Sequence, residues 1–353
     1  MSRRRAMATA ALGSAAALAL TALPAQAAAP SYVALGDSYS SGTGTRDYIA
    51  DGTSCLRSVY AYPSLIASAK GYALTFRACS GATVADVTRT QLSALSASTS
   101  YVSISIGGND AGFADVLTEC AQPGWMSDCN GAVDDAQAFI SGTLTPSQRG
   151  IAPCIRARAP RAGVTVAASP RLSNGEDCTP QTWFPPAEEK RLNATADLIN
   201  SVTAQRAAAA GFSFANPTSR FVGHAVCDSP EWINGLSNPI ENSYHPKKEG
   251  HANGYTPAVS PYLTGATVTV TAALRSTAAA SADTLATRES RWAAADRSIR
   301  PERVLLPDLH SPRALAAAQR AGVDVDDRAS VDAADRLWSA RQAAEHRARV
   351  AGR

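Results

Sequence analysis

One serine stands where a short apolar strand gives way to a turn. The run Tyr32–Leu35 is followed directly by Gly36, Asp37 and Ser38. A strand that stops there leaves the serine at the carboxyl end of a sheet, where open α/β folds build their sites. The alternative is an ordinary strand-to-loop turn, because glycine, aspartate and serine are common turn residues. Ser38 is therefore a candidate nucleophile if the chain also supplies a base and donors for an oxyanion.

Two later turns supply candidate donors. Gly81 follows the second apolar run of the chain, and Asn109 follows the third. Gly81 can present a bare backbone N–H and Asn109 a side-chain amide, so both can converge with the Ser38 N–H on one oxygen. Alternatively, Asn109 caps a helix that starts near Ala111. We predict an oxyanion hole formed by Ser38, Gly81 and Asn109.

The base has to come from five histidines. His310 and His346 belong to the C-terminal part of the chain, which differs in composition. His245 stands in a loop between the last apolar run and a closing helix, from where it can reach the serine, and we predict that it is the base. His251 is expected to be structural, and His224 to line the pocket.

These residues need a sheet to bring them together, and five short apolar runs provide its strands. Stretches long enough for helices separate the runs, of which the clearest is predicted to be helical from about Ala187 to Ala210. Strands that alternate with helices predict a parallel sheet covered on both faces, an α/β fold, in one domain over residues 28–263. The five runs are Tyr32–Leu35, Leu74–Ala78, Tyr101–Ile106, Val164–Ala168 and Phe212–Ala215.

Four ordered blocks give the chain a family resemblance. Gly36-Asp37-Ser38-Tyr39, Gly81, Gly107-Gly108-Asn109-Asp110 and His245-Pro246 resemble the motifs of SGNH hydrolases of the GDSL esterase and lipase family, in particular secreted actinomycete lipases and phospholipases. The resemblance implies a three-layer flavodoxin-like fold with a five-stranded parallel sheet, and ester hydrolysis through an acyl-enzyme without metal or cofactor. No Gly-x-Ser-x-Gly pentapeptide is present, which argues against the nucleophile elbow of α/β-hydrolases.

The chain departs from that family at the group that orients the histidine. The family usually has an aspartate three residues before the histidine, and here that position is Asn242. An amide accepts a hydrogen bond from the imidazole but adds no charge. The orienting group is then Asn242 or a backbone carbonyl of Asn242 or Ser243, with Glu241 as a reserve carboxylate. We therefore predict a Ser38–His245 dyad.

The N-terminus indicates export. Arg3, Arg4 and Arg5 precede an alanine- and leucine-rich stretch that ends in a small-residue cleavage site, so residues 1–27 are predicted to be a signal peptide for the general or the twin-arginine route. The formal charge of +3 equals the contribution of these three arginines. The mature chain thus lacks the basic surface that nucleic-acid binding requires. We expect a soluble extracellular monomer without stable membrane insertion.

Seven cysteines in an exported chain predict disulfides, and the odd count leaves one thiol over. Cys154, in a predicted helix, is the expected free thiol. The sequence does not fix the connectivity, but pairing of near neighbours is the simplest arrangement, and the family resemblance implies the same pairs. No spacing suggests zinc. The pairs are Cys55 with Cys79, Cys120 with Cys129, and Cys178 with Cys227.

The last part of the chain, residues 264–353, has a different composition. It is rich in alanine and arginine and contains neither lysine nor cysteine. Helices are predicted over Arg313–Arg320, which directly follows Ser311 and Pro312, and over Val331–Val350. Neither shows a convincing apolar stripe, so we expect a mostly helical or disordered, solvated appendage. A segment that binds a partner or the cell wall is the alternative.

The substrate is less closely defined than the reaction. Trp232, Ile233 and the loop around Trp125 are expected to form an apolar rim, which favours carboxylic esters of lipids, either acylglycerols or phospholipids. Simple loop packing is the alternative role for these residues. A short-chain or carbohydrate acetyl esterase, or a non-catalytic lipid- or glycan-binding module on the same fold, remains a possible function.

Overall fold

A five-stranded parallel sheet forms the centre of the computed structural model, which describes residues 28–352 apart from position 302. The predicted signal peptide lies outside these residues. The strand order β2-β1-β3-β4-β5 is that of a flavodoxin-like fold, as predicted. The strands are β1 (Ser31–Gly36), β2 (Ala73–Phe76), β3 (Tyr101–Ser105), β4 (Gly163–Ala167) and β5 (Ser213–Ala215).

The sheet has an apolar layer on each face. Successive strand residues point to opposite sides, so Tyr32 and Ala34 of β1 belong to one buried cluster, and Val33 and Leu35 to the other. This two-sided burial explains why the strands appear in the sequence as continuous apolar runs.

Helices cover both faces. The longest of those before the extension, α7, begins with a proline in its first turn followed by Glu188 and Glu189, which suits the positive end of the helix dipole. Its limits differ by one residue at each end from the predicted helix. The helices before the extension are α1 (Ser38–Ser41), α2 (Tyr62–Lys70), α3 (Val84–Asp86), α4 (Phe113–Cys120), α5 (Cys129–Phe139), α6 (Thr145–Arg158), α7 (Pro186–Ala209) and α8 (Thr256–Thr264).

The strand order brings the ends of β1 and β3 together at the point where the order of the chain reverses. Ligands of open α/β sheets bind at such a switch point. Gly36 closes β1 with a φ of +117°, and a Cβ there would lie 2.2 Å from the Ser105 carbonyl oxygen. Only glycine therefore allows β1 to end this close to β3, immediately before Ser38.

The cysteine predictions are confirmed. Cys55–Cys79, Cys120–Cys129 and Cys178–Cys227 form disulfides, and Cys154 is a free, partly buried thiol on α6. The first disulfide joins the loop after β2 to the segment before α2. It thereby ties the chain just before Gly81 to the body of the protein.

The C-terminal extension is helical, as predicted, but it is not a solvated appendage. Glu289, Asp296 and Val331 are completely buried. Ala317, Ala318 and Val331 enclose Trp125 and Trp183, which belong to the preceding part of the chain. None of the helices within residues 28–352 is long and apolar enough to cross a membrane. The helices of the extension are α9 (Ala272–Ala279), α10 (Ala282–Ser290), α11 (Ala293–Asp296), α12 (Pro312–Ala321) and α13 (Arg328–Ala351).

The solvated-appendage expectation failed because the helices meet the rest of the chain with small alanine faces, isolated large apolar residues such as Leu285 and Val331, and single charged side chains. None of these features produces a continuous apolar stripe in the sequence.

Candidate active site

Ser38 is the first residue of α1, and a buried aspartate fixes the turn that presents it. The Asp37 carboxylate accepts hydrogen bonds from the Tyr39 N–H at 3.1 Å and from the Ser105 hydroxyl at 2.6 Å. Burial raises the pKa of Asp37 to about 7, and the bond from Ser105 opposes that rise. Asp37 therefore acts as a helix cap and as a link to β3 rather than as the partner of the histidine.

His245 contacts the serine. Its Nε2 lies 2.8 Å from the Ser38 Oγ, and its Nδ1 lies 2.8 Å from the Ser243 carbonyl oxygen. Because a carbonyl only accepts hydrogen bonds, the proton of the neutral ring is on Nδ1, and Nε2 is free to accept the serine proton. Burial lowers the pKa of His245 to about 4, although the Ser243 carbonyl acts in the opposite direction. The ring is thus neutral, and in the tautomer that a base requires.

The side chain of Asn242 does not orient the imidazole, which corrects one of the two predicted orienting groups. Its Oδ1 accepts a hydrogen bond from the Tyr48 hydroxyl, and its Nδ2 donates to the Pro239 carbonyl at 3.3 Å. The Asn242 carbonyl accepts the backbone N–H of His245 at 3.3 Å rather than the ring. In the described part of the chain no carboxylate, Glu241 included, pairs with the ring. The ring is held by the Ser243 carbonyl.

The loops that carry Gly81 and Asn109 are bound to each other beside the serine. Asn109 Nδ2 donates to the Ala82 carbonyl at 2.9 Å, and the Asp110 carboxylate accepts from the Val84 N–H at 3.0 Å. We call residues 79–83 the oxyanion loop, after the role predicted for Gly81. Across residues 28–352, the N–H groups of Ser38 and Gly81 have no hydrogen-bond acceptor, so both are available to a ligand.

Asn109 is not a helix cap. Helix α4 begins at Phe113, and its N-cap is Gly112, which offers no side-chain hydrogen bond. The side chain of Asn109 points instead to the oxyanion loop, with a second amide hydrogen left over after its bond to Ala82. Its role as an oxyanion donor stays a prediction.

The other histidines lie away from the serine. His251 is fully buried between α2 and α8, where its Nδ1 accepts the Tyr62 N–H at 3.4 Å. Burial and, to a smaller extent, the neighbouring His245 lower its pKa to about 3. His224 stacks on Trp232 at 3.7 Å and bonds the Pro230 carbonyl. His310 pairs with Asp326 at an exposed site of the extension.

An apolar groove runs from the serine between α4, α5 and α7. It holds about 780 Å³ of space, its open mouth included. The predicted rim does not contribute to it, because Trp125 is buried under the extension, Ile233 is in the core and Trp232 packs on Phe221. The walls are formed by apolar residues of the helices, among them Phe113, Val116, Leu117, Ile140, Leu192, Ala196 and Ile199.

The sequence did contain a signal for this groove. Leu192, Ala196 and Ile199 recur at helical spacing and lie on one face of the predicted helix. A helix face that lines a groove and one that covers a sheet carry the same apolar spacing. Only the position of α7 over the open end of the sheet distinguishes them.

Comparison with known proteins agrees with this geometry. The sequence model of the GDSL-like Lipase/Acylhydrolase family matches residues 34–252. This chain belongs to that family. Family members among curated proteins include a lipase of Streptomyces rimosus, 42% identical over 267 residues, which are 74% of this chain and 98% of the relative. Lipase 1 of Streptomyces coelicolor is 43% identical over 248 residues, 69% of this chain and 90% of the relative.

Two solved structures of the family resemble this fold. An extracellular lipase from Streptomyces rimosus aligns with a TM-score of 0.62 and 43% identity over 68% of this chain and 100% of its own. A phospholipase A1 from Streptomyces albidoflavus NA297 aligns with a TM-score of 0.61 and 39% identity over 67% of this chain and 99% of its own. About a third of this chain is therefore additional to both structures.

Proposed function

We propose that this protein is an esterase of the lipase type that hydrolyses carboxylic esters of lipids through an acyl-enzyme on Ser38. The observation that carries the proposal is the 2.8 Å contact between the Ser38 Oγ and the Nε2 of a neutral, correctly protonated His245. Family membership supports the reaction class, since the relatives include lipases and a phospholipase A1.

In the first step, His245 Nε2 takes the proton of Ser38 as the Oγ attacks the ester carbonyl. The imidazolium that forms donates through Nδ1 to the Ser243 carbonyl, 2.8 Å away. A carbonyl dipole stabilises this positive charge less than a carboxylate does. Because its pKa is low, His245 stays neutral at mildly acidic pH. When it accepts the serine proton, no carboxylate among the described residues stabilises its positive charge.

The negative charge of the tetrahedral intermediate develops on the former carbonyl oxygen. The free N–H groups of Ser38 and Gly81, together with the Asn109 amide, are its proposed donors. Each such donor acts mainly in the transition state and is worth about 100- to 1000-fold in rate. The intermediate collapses when His245 returns the proton to the leaving alcohol, and water then releases the acid by the same sequence of proton transfers.

The groove supports a fatty acyl chain rather than an acetyl group as the acid part of the substrate. It begins at Ser38 and Asn109 and continues between apolar side chains of α4, α5 and α7. Each methylene buried there contributes about 0.8 kcal/mol of transfer free energy. An acetyl ester leaves most of this wall unused, so longer acyl chains are the proposed substrates. Acylglycerols and phospholipids both present such a chain.

We also propose that the protein acts outside the cell as a monomer. Three disulfides suit an oxidising compartment, and the solved relative from Streptomyces rimosus is an extracellular lipase. The basic and apolar N-terminal sequence provides the export signal.

Hydrolysis of p-nitrophenyl esters from acetate to palmitate tests the proposal. Ser38→Ala should abolish turnover of every ester, because no other hydroxyl of the described chain is bonded to His245 Nε2. Ser98→Ala, in an exposed turn at the opposite end of the sheet, is the matched control and should keep full activity. Turnover by Ser38→Ala equal to that of the control would refute the assignment of the nucleophile.

A further inference from the structure

Along the chain, the C-terminal extension first contacts the edge of the central sheet and then contacts the loop at the candidate active site. Strand β2 is an edge strand, and α10 lies along it. The Arg288 guanidinium donates to the Leu74 carbonyl, and the buried Glu289 carboxylate accepts the Phe76 N–H at 2.9 Å. The extension thus satisfies polar backbone groups on the open side of the strand that leads to the oxyanion loop.

After α10 in the chain, the side chain of Asp296 lies buried between two arginines. Its carboxylate accepts hydrogen bonds from Arg57 at 2.6 Å and from Arg77 at 2.7 Å, and all three side chains are inaccessible to solvent. Arg57 is also paired with Asp51 at 2.6 Å, so the cluster has two positive and two negative charges. Burial alone would raise the pKa of Asp296, but the two guanidiniums hold it below its usual range.

The two arginines hold the chain that leads into the oxyanion loop. Arg77 is separated from Cys79 by one residue, and Arg57 Nε donates to the carbonyl of that residue, Ala78, at 2.9 Å. Asp296 is the group that joins both guanidiniums. Among the described residues, removing its charge would leave Arg57 paired with Asp51 and Arg77 without an ion pair, with Glu289 acting on both guanidiniums only at longer range. The loop entrance would lose its common anchor.

The next residues of the extension contact the loop itself. A backbone hydrogen bond of 3.0 Å from the Ile299 N–H to the Asp296 carbonyl closes a turn, and this turn sets the position of Arg300. The Arg300 carbonyl then packs against Gly81 so closely that a Cβ on the glycine would lie 2.1 Å from the Arg300 oxygen. Ile299 is buried in the apolar cluster that also holds Cys79 and Ala82.

We propose that the C-terminal extension is a positioning element of the active site, in which Asp296 and the Arg300 carbonyl fix the oxyanion loop so that the Gly81 N–H points at the reacting ester. The inference rests on the proposed function, because it takes the oxyanion role of Gly81 from there. Asp296 acts through Arg57, Arg77 and Gly81 and does not contact the substrate.

Replacing Asp296 by asparagine tests this role in the full chain, because it keeps the shape of the side chain and removes its charge. Asp326→Asn, which removes the carboxylate of an exposed hydrogen bond with His310 in the same extension, is the control. We expect kcat for a p-nitrophenyl ester to fall about tenfold in Asp296→Asn, with KM within twofold of the parent, because oxyanion contacts strengthen mainly in the transition state. Equal kcat values for the two variants would overturn the proposal.

A double-mutant cycle separates positioning from general destabilisation. Gly81→Ala places a methyl group against the Arg300 carbonyl and displaces the loop. If Asp296 acts through Gly81, adding Asp296→Asn to Gly81→Ala lowers kcat by less than twofold further. A full tenfold further loss would mean that Asp296 acts elsewhere.

Amide hydrogen exchange gives a readout that does not depend on catalysis. Peptides that cover residues 79–83 should exchange at least tenfold faster in Asp296→Asn than in Asp326→Asn, while those from β3 should not change. This outcome would hold even if Ser38→Ala kept its activity, so failure of the proposed function and failure of the positioning role are distinguishable. Unchanged amide exchange in the oxyanion loop would overturn the positioning role.

A cleavable full-length chain covers the case in which Asp296→Asn does not fold. A protease site inserted between Ala266 and Thr267, both exposed, allows the intact protein to fold before it is cut. We expect the fragments to co-elute with activity retained, and activity to fall in step with their separation in mild denaturant. Release of the extension fragment with unchanged kcat would overturn the proposal.

Discussion

The catalytic site and the anchor of the extension use opposite electrostatics. At the site, His245 is buried with two neutral partners, a hydroxyl and a carbonyl. At the anchor, Asp296 is buried between two guanidiniums. A neutral histidine can be buried without a counter-charge, because its pKa falls, whereas a buried carboxylate that stays charged requires cations. Loss of one partner should therefore affect catalysis at the first place, and folding as well as the position of the oxyanion loop at the second.

The largest effect is expected at the neutral site. His245→Ala removes the base and should lower kcat/KM for a p-nitrophenyl ester by about 1000-fold. Asn242→Ala, three residues away, should stay within about fivefold of the parent, because the asparagine bonds Tyr48 and Pro239 rather than the ring. A comparable loss in both variants would mean that Asn242 takes part in orienting the base.

The charged anchor should respond in stability. Arg57→Met leaves Asp51 without its guanidinium and removes one of the two arginines that bind Asp296, so we expect the free energy of unfolding to fall by about 3–5 kcal/mol. Urea denaturation, monitored by tryptophan fluorescence, measures this free energy. Asp197→Asn breaks the exposed pair with Arg171 and should cost less than about 1 kcal/mol. Similar losses in the two variants would contradict the contrast between buried and exposed ion pairs.

The groove offers a substitution that changes specificity without touching the base. Ala196→Trp fills the groove from α7, so the ratio of palmitate to acetate hydrolysis should fall about tenfold. Ala194→Trp adds the same side chain at an exposed position of the same helix and should leave the ratio unchanged. A ratio that is unaffected by Ala196→Trp would show that the acyl chain binds elsewhere.

The smallest effect is expected from mild acid. Because burial lowers the pKa of His245 from 6.5 to about 4, the base stays neutral at pH 5, and kcat/KM should change less than twofold between pH 7 and 5. A histidine with an ordinary pKa would lose about 25-fold in kcat/KM over that range. Activity should then fall as the pH drops through 4.

Stability has to be followed in the same buffers, because acid acts on folding too. The unfolded chain binds protons at His245 and His251 before the folded chain does, so these two groups lower stability as the pH falls below 6.5. Asp37, Glu188 and Glu189 act in the opposite direction, because burial raises their pKa values to about 7, 8 and 7 and the folded chain binds their protons first. Tryptophan fluorescence identifies the pH range in which the enzyme stays folded. A loss of kcat/KM of about 25-fold at pH 5 by folded enzyme would show that the histidine is not shielded as the structure indicates.

Most of the fold and the dyad could be predicted from local sequence. Strand β1 is a continuous apolar run that ends at Gly36, and the order of apolar runs and helices leads to one parallel sheet with Ser38 at its carboxyl edge. The acyl groove could not be predicted, because Trp125 is equally suited to a rim and to a core. The structure places it beneath α12 and α13.

The sequence by itself determined the residue types that chemistry requires and their places at strand ends, because both depend on local rules of strands and turns. Tertiary structure alone decided which neutral group holds His245, since every residue has a carbonyl and only the fold aims that of Ser243 at the ring. It also decided the role of the extension. Asp296 lies 239 residues from Arg57 and 219 from Arg77, and no local pattern connects groups that meet only when the chain folds.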